Sequence, residues 1–167
     1  MIPPLETVPV ELRLVALIVI ANGAPIVAGA LFGRRGAWPV DGGWVLGDGY
    51  RLLGDSKTWR GVLSALLAAG AGAALLGLPV WIGLVVGAAA MLGDMLSSFL
   101  KRRLGVPPSG RATGLDQIPE SLFPLLAVAG ELALTGSSIL LVVIGFMALE
   151  ITLSPVFYRL GIRNRPY

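Results

Sequence analysis

The sequence predicts an all-α polytopic membrane protein of five transmembrane helices, with its N-terminus outside, two long cytoplasmic loops and short outer turns. Three observations carry this. The 167 residues are 55% hydrophobic and only 14% charged, with a mean hydropathy of +0.80, whereas a water-soluble domain carries about a quarter charged residues. Apolar runs recur at close to the length of about 20 residues that a helix needs to cross the hydrocarbon core. Almost every Lys and Arg falls in three segments that five crossings place on one side of the membrane.

The runs divide residues 1–167, read as one integral-membrane domain, into spans at about 10–32, 61–78, 79–100, 118–135 and 137–158. Leu78-Pro79 and Thr135-Gly136 interrupt otherwise continuous apolar sequence, so spans two and three, and spans four and five, read as tight hairpins. A cleaved signal peptide fits the first run poorly. Residues 1–10 contain Glu6 and no Lys or Arg, and the apolar stretch is too long for a cleaved leader.

Charge placement sets the orientation. Arg34, Arg35, Arg51, Lys57 and Arg60 lie between spans one and two. Lys101, Arg102, Arg103 and Arg111 lie between spans three and four, and Arg159, Arg163 and Arg165 follow span five, leaving Arg13 as the exception. The positive-inside rule then puts the long loops in the cytoplasm. The sequence isoelectric point near 9.8 therefore reflects capped membrane helices. A nucleic-acid surface would interleave aromatics with its basic residues, and nucleic acid is not an expected partner.

Composition also limits the chemistry. With no Cys and no His, the chain has no disulfide framework, thiol nucleophile, imidazole base or histidine metal ligand. Asparagine occurs only at 22 and 164 and glutamine only at 117, a pattern that fits heat adaptation. Two small-xxx-small pairs, Gly29/Gly33 and Gly83/Gly87, are spaced for close helix packing.

An ionisable group inside a span costs about 2.5 to 3.5 kcal/mol at its centre and by default marks function. Asp94 is the clearest instance. Seven helical residues turn 700°, so Asp94 and Lys101 project from nearly the same face about 10 Å apart, with the hydroxyls of Ser97 and Ser98 on the same stripe. That stripe suits a cation and a phosphate, although an ion pair between helices would look the same. Glu131 lies near an outer end, within reach of headgroups, and Glu150 has the depth to face the same polar region. Asn22, followed by Gly23 and Pro25, loosens span one and offers its amide to a neighbouring helix or to a ligand.

The first inner loop is glycine-rich and ends in Lys57-Thr58-Trp59-Arg60-Gly61. Its cations and hydroxyl suit phosphate oxygens, but the P-loop spacing is absent because Gly54 precedes Lys57 by only three residues. The second inner loop ends at Asp116. That residue is placed either to cap the fourth span through first-turn amides or to share a divalent ion with Asp94. Two carboxylates with several cations on one inner face point to metal plus polyphosphate.

Gly93-Asp94, then Ser97-Ser98, then Lys101-Arg102, and after a loop Gly114-Leu115-Asp116-Gln117, resemble the signature of the integral-membrane phosphatidate cytidylyltransferases. Those carry a G-D-x-x-x-S-x-x-K-R run followed by a glycine-rich stretch ending in D-R-x-D. With five spans and the loop from Gly47 to Gly61, the whole chain is similar to their shorter archaeal branch, the CDP-archaeol synthase family. The resemblance implies CTP and an archaeal ether-lipid phosphate as substrates, CDP-archaeol and pyrophosphate as products, Mg2+ as cofactor, and membrane lipids as surroundings. It implies Asp94, Lys101 and Asp116 as catalytic residues, with Asp94 and Asp116 on the metal. Lys57, Thr58, Arg60, Ser97, Ser98, Arg102, Arg111, Asn22 and Gln117 are the expected substrate contacts. This sequence departs from the longer bacterial pattern by lacking its His-Gly-Gly step, by carrying Gln117 where Arg is usual, and by placing the next acid, Glu120, one position late.

Two rival classes were weighed. CDP-alcohol phosphotransferases begin their motif D-G-x-x-A-R, whereas Asp41-Gly42 is followed here by Gly43-Trp44-Val45-Leu46. A small oligomeric transporter or channel would use Asp94 and Glu150 as relay groups, but leaves the long charged loops unexplained. A homodimer is an assembly the sequence permits.

Overall fold

A computed structural model describes residues 7–106, 110, 112 and 114–159, with side chains through residue 152. Five helices follow in order: α1 (Val10–Phe32), α2 (Trp59–Leu75), α3 (Val80–Arg103), α4 (Gln117–Val128) and α5 (Gly136–Arg159). Among the described residues, β-pairing is confined to two isolated bridges, Pro39 with Thr58 and Val45 with Arg51.

The helices α1 and α3, of 23 and 24 residues, are long and apolar enough to cross a membrane, each reaching about 35 Å at 1.5 Å per residue. The α2 helix has 17 residues. It starts at Trp59 because the Thr58 hydroxyl accepts the Gly61 N–H at 3.1 Å. It stops at Leu75, where the Leu78 N–H returns to the Ala73 carbonyl at 2.8 Å, and Gly77 takes the positive φ of 69° that this reversal requires. The expected tight turn into α3 is present.

The fourth element departs most from expectation. In place of a span over 118–135 it is a 12-residue helix containing Pro124, only about 18 Å long. Proline has no N–H to offer the carbonyl four residues earlier, and past Val128 the chain closes into turns. Leu134 N–H bonds the Ala129 carbonyl at 2.9 Å, with Ala133 at φ 48°. The connection to α5 is correspondingly longer than a Thr135-Gly136 hinge.

Small residues make the closest helix contacts. A methyl added at Gly83 would collide with the Ala69 carbonyl, and one at Gly87 would lie 3.1 Å from the Ala65 carbonyl, so this pair lets α3 touch the α2 backbone. The Gly29/Gly33 pair does not work this way. Gly33 sits at φ +56° with nothing within 4 Å of its missing side chain, and it terminates α1 instead. Larger apolar groups, among them Leu14, Leu17, Ile82, Leu125 and Phe146, fill a central core. Many of the bulky side chains, however, point outward: Leu31, Leu63, Leu67, Leu92, Leu140 and Ile144 are all exposed. Such a surface is an aggregation hazard in water and a natural boundary against lipid tails.

Candidate active site

The site gathers at one end of the bundle, where the chain after α1 folds back against the start of α2. Val40 N–H donates to the Lys57 carbonyl at 2.8 Å, and Trp59 N–H to the Trp38 carbonyl at 3.0 Å. Arg60 reaches the end of α1, donating to the carbonyls of Gly33 at 3.0 Å and Arg35 at 2.5 Å. Within the loop, Asp41 is the hub. Its side chain is 0% exposed and pairs with Arg51 at 2.6 Å, and it accepts the N–H groups of Gly43, Leu53 and Gly54. Burial pushes the Asp41 carboxyl up. The Arg51 guanidinium and the three amides more than offset this and hold it well below the usual carboxylate range.

The loop is then fastened to α3. Arg103 pairs with Asp48 at 2.9 Å, donates to the Arg51 carbonyl at 2.8 Å, and lies over the Phe99 ring at 5.3 Å. These anchors deliver Lys57 to α3. Its Nζ lies 2.6 and 2.5 Å from the two carboxylate oxygens of Asp94.

A second pair forms about two turns further along α3. Lys101 meets Asp116 at 2.6 Å, and the other Asp116 oxygen accepts the Ala112 N–H at 3.2 Å. Asp116 makes no side-chain cap on α4; its carboxylate is turned to Lys101 instead. Lys101 also acts on Asp94, and Asp116 on Lys57, which makes the two pairs a single cluster. Glu120, buried on α4, joins it: its carboxyl lies beside that of Asp94, within hydrogen-bonding reach when one of the two carries a proton. Burial works against the Lys57 charge, but Asp94 and then Glu120 outweigh it and hold the ammonium above the usual lysine range. The lysine and aspartate side chains keep 13 to 22% exposure, enough for an incoming charged group to reach them. The carboxylates of Asp94 and Asp116 are the ones able to hold a cation, although among the described residues no three acidic groups form a ready-made metal cage.

The chain has relatives of known family. The family model described as "CarS-like: CDP-archaeol synthase" matches residues 10–80 and 75–167. The chain belongs to this family. A CDP-archaeol synthase of Sulfurisphaera tokodaii is 36% identical over 154 residues, covering 89% of each chain. One from Aeropyrum pernix is 44% identical over 121 residues, 69% of this chain and 64% of its own. A solved structure reported as an intramembrane enzyme for archaeal membrane lipids biosynthesis aligns with a TM-score of 0.73 at 35% identity, covering 84% of this chain and 90% of that one.

The expected site residues of this family member separate into two groups. Lys57, Asp94, Lys101 and Asp116 come together as described. Thr58 and Arg60 instead build the loop, as the α2 cap and the anchor on α1. Ser97 and Ser98 are buried, and the Ser97 hydroxyl donates to the Gly93 carbonyl at 3.0 Å within its own helix. Asn22 likewise donates to the Ile18 carbonyl at 3.1 Å, away from the cluster. Gln117 is buried and accepts the Gly114 N–H at 2.7 Å, shaping the approach to Asp116. Arg102 is buried at the end of α3, and Arg111 lies outside the described residues. Sequence reasoning left Glu120 unassigned and overlooked Asp41 and Arg103 as organisers. The i,i+4 spacing from Asp116 to Glu120, which puts both acids on one helix face, was the available signal for Glu120.

Proposed function

We propose that this chain transfers CMP from CTP to 2,3-bis-O-geranylgeranyl-sn-glycerol 1-phosphate, giving CDP-archaeol and pyrophosphate. The observation that carries this reading is the double lysine–carboxylate cluster at one end of α3 in a member of the CDP-archaeol synthase family. An oxygen of the lipid phosphate attacks the α-phosphorus of CTP. A new P–O bond forms, the bond from the α-phosphorus to the bridging oxygen breaks, and that oxygen leaves with pyrophosphate. The nucleophile is already an anion, so a chain without histidine lacks nothing the step needs. What it requires is charge neutralisation and in-line placement.

Lys57 and Lys101 supply that neutralisation from two sides of one cluster, and Arg102 and Arg111 add cations nearby along the chain. The donor set suits Mg2+, which takes one or two carboxylates and completes its shell with water and substrate phosphates. Asp94 and Asp116 would hold it, and when bound it supplies Lewis-acid polarisation of the phosphates. The ammoniums of Lys57 and Lys101, paired with these carboxylates in the structure, are placed to turn to phosphate. The exposed leucine faces suit a lipid whose tails stay in the membrane while its phosphate comes in from the side.

Five crossings, an outer N-terminus and a cytoplasmic site belong to the same proposal. Its support is the gathering of the Lys and Arg residues with described side chains around the α1–α2 and α3–α4 connections at the site end of the helices, with Arg13 as the exception, and α4 and the turns after it would together make the fourth crossing. Family membership disfavours the transporter alternative. All groups of the cluster come from one chain, so a homodimer is an assembly the reaction does not require.

The test is pyrophosphate release by purified protein in detergent with Mg2+, comparing CTP with dCTP, ATP, GTP and UTP, with and without the geranylgeranyl ether phosphate. Release that needs both CTP and lipid, with CDP-lipid recovered, is the expected result. No release with any nucleotide from folded protein overturns the reading and returns weight to a relay role for Asp94.

A further inference from the structure

Gly93 and Glu120 meet where α3 and α4 touch beside Asp94. At Gly93 the backbones of the two helices are in contact. A methyl there would collide with the Pro119 carbonyl oxygen and lie 2.8 Å from the Glu120 nitrogen. Those are backbone atoms, so no side-chain rearrangement relieves the clash. The neighbours of the two touching residues are the acids themselves: Asp94 follows Gly93 and Glu120 follows Pro119. Backbone contact at Gly93 brings the two helices together beside both acids, and their carboxyls lie within hydrogen-bonding reach of each other when one is protonated. Glu120 is only 8% exposed, and an acid buried in an apolar bundle without a task is a standing cost.

We infer that Glu120 is a positioning residue that fixes the Asp94 carboxyl from the α4 side, and that Gly93 is the position that lets it reach. Asp94 is then gripped twice. Lys57 approaches both its oxygens from the loop, and Glu120 holds it from the neighbouring helix. When Lys57 turns to a phosphate, the Glu120 contact remains, so Asp94 keeps its orientation through the exchange. Groups that orient a metal-binding carboxylate in this way change metal affinity or activity by about 10- to 100-fold when removed. The inference rests on Asp94 belonging to the site as proposed above.

The experiment compares Glu120→Ala, Glu120→Leu, Glu120→Gln and Gly93→Ala with wild type and Asp94→Asn in detergent. It reads three quantities: Mn2+ affinity with CTP present, by electron paramagnetic resonance; the metal dependence of turnover; and the KM for CTP. Glu120→Ala and Glu120→Leu are expected to weaken Mn2+ binding about tenfold or more and lower kcat, with a smaller effect on the KM for CTP. Glu120→Gln, which keeps shape and one hydrogen bond, restores much of the loss, and a packing role would instead favour Leu. Gly93→Ala should reproduce the Mn2+ defect, and adding Glu120→Ala to it should cost little more, since both act through one contact. Wild-type Mn2+ affinity and turnover in Glu120→Ala, alongside an inactive Asp94→Asn, overturn the inference while leaving the proposed function in place. A wild-type-like Asp94→Asn overturns the assignment beneath both. If Gly93→Ala does not fold, the Glu120 series alone decides.

Discussion

Two aspartates each stand beside a glycine at the same end of the bundle, yet the structure uses them differently. Asp41 is completely enclosed, with a guanidinium and three backbone amides around it. Nearly every acceptor position on its carboxylate is filled by its own chain, so it has nothing left to offer a ligand. Asp94 is held by one mobile lysine and one neighbouring carboxyl, and retains partial exposure. An acid satisfied by fixed backbone donors builds a scaffold, whereas an acid satisfied by a long flexible cation can exchange that partner. The number and rigidity of the partners separate structure from chemistry here.

The sharpest break in this comparison comes at the exchangeable acids. Asp94→Asn and Asp116→Asn are each expected to reduce CDP-lipid formation by at least about 10²- to 10³-fold, the scale of removing a key electrostatic group. Their elution as a folded species in detergent should be retained. Asp41→Ala is expected to act by another route. The Leu53 and Gly54 amides lose their acceptor, which costs about 1 to 3 kcal/mol for an unsatisfied group, while Arg51 keeps Asp55; limited proteolysis should open the segment between α1 and α2, and activity should fall because Lys57 is no longer delivered. Helix content by circular dichroism should stay near wild type.

Lys57→Met sharpens the other side. The ammonium and a divalent cation compete for the same Asp94 oxygens, so Mn2+ binding without nucleotide should strengthen by on the order of tenfold, about 1.4 kcal/mol. The KM for CTP should rise over the same change. Unchanged metal binding would show that Lys57 is not the exchangeable partner.

A smaller effect follows from pH. The folded Asp41 carboxyl lies below its unfolded value, so its stabilisation of the loop is fully present above about pH 4 and declines as pH falls below that. Acid should raise the protease sensitivity of the loop in wild type more than in Asp41→Asn, which lacks the titrating group. The least effect is expected from Asn22→Ala. Its amide serves only the α1 backbone, and turnover and the KM for CTP should stay near wild type, with stability within about 0.5 kcal/mol.

Much of this was legible in the sequence. Hydropathy located α1 to the residue and α3 to within three residues, because long apolar runs with no competing pattern leave few alternatives. The stripe on α3 put Asp94 and Lys101 on one face, since helical spacing is a fixed rule, and in the structure the two charges interact. Partner choice was not legible. Nothing local pairs Lys57 with Asp94 across 37 residues, because that contact depends on how the first loop folds about Asp41. The length of α4 was lost for a similar reason. Apolar residues continue past Val128, and hydropathy does not register that Pro124 and the turn through Ala133 end the helix. Hydroxyls and amides were over-read. Thr58, Ser97 and Asn22 satisfy nearby backbone groups, which is what short polar side chains in and around helices commonly do.

The seam between α2 and α3, built from Ala65, Ala69, Ala73, Gly83 and Gly87, has a thermal consequence. Fixing an alanine or glycine side chain freezes no rotamers, whereas a seam of leucine or methionine loses up to about 2 kcal/mol of TΔS per residue, a loss that grows in proportion to absolute temperature. Adhesion along this stretch of the seam comes largely from backbone proximity, and little side-chain order has to be maintained against heat. Warming therefore withdraws comparatively little from the contact that holds α3, and with it Asp94 and Lys101, in register.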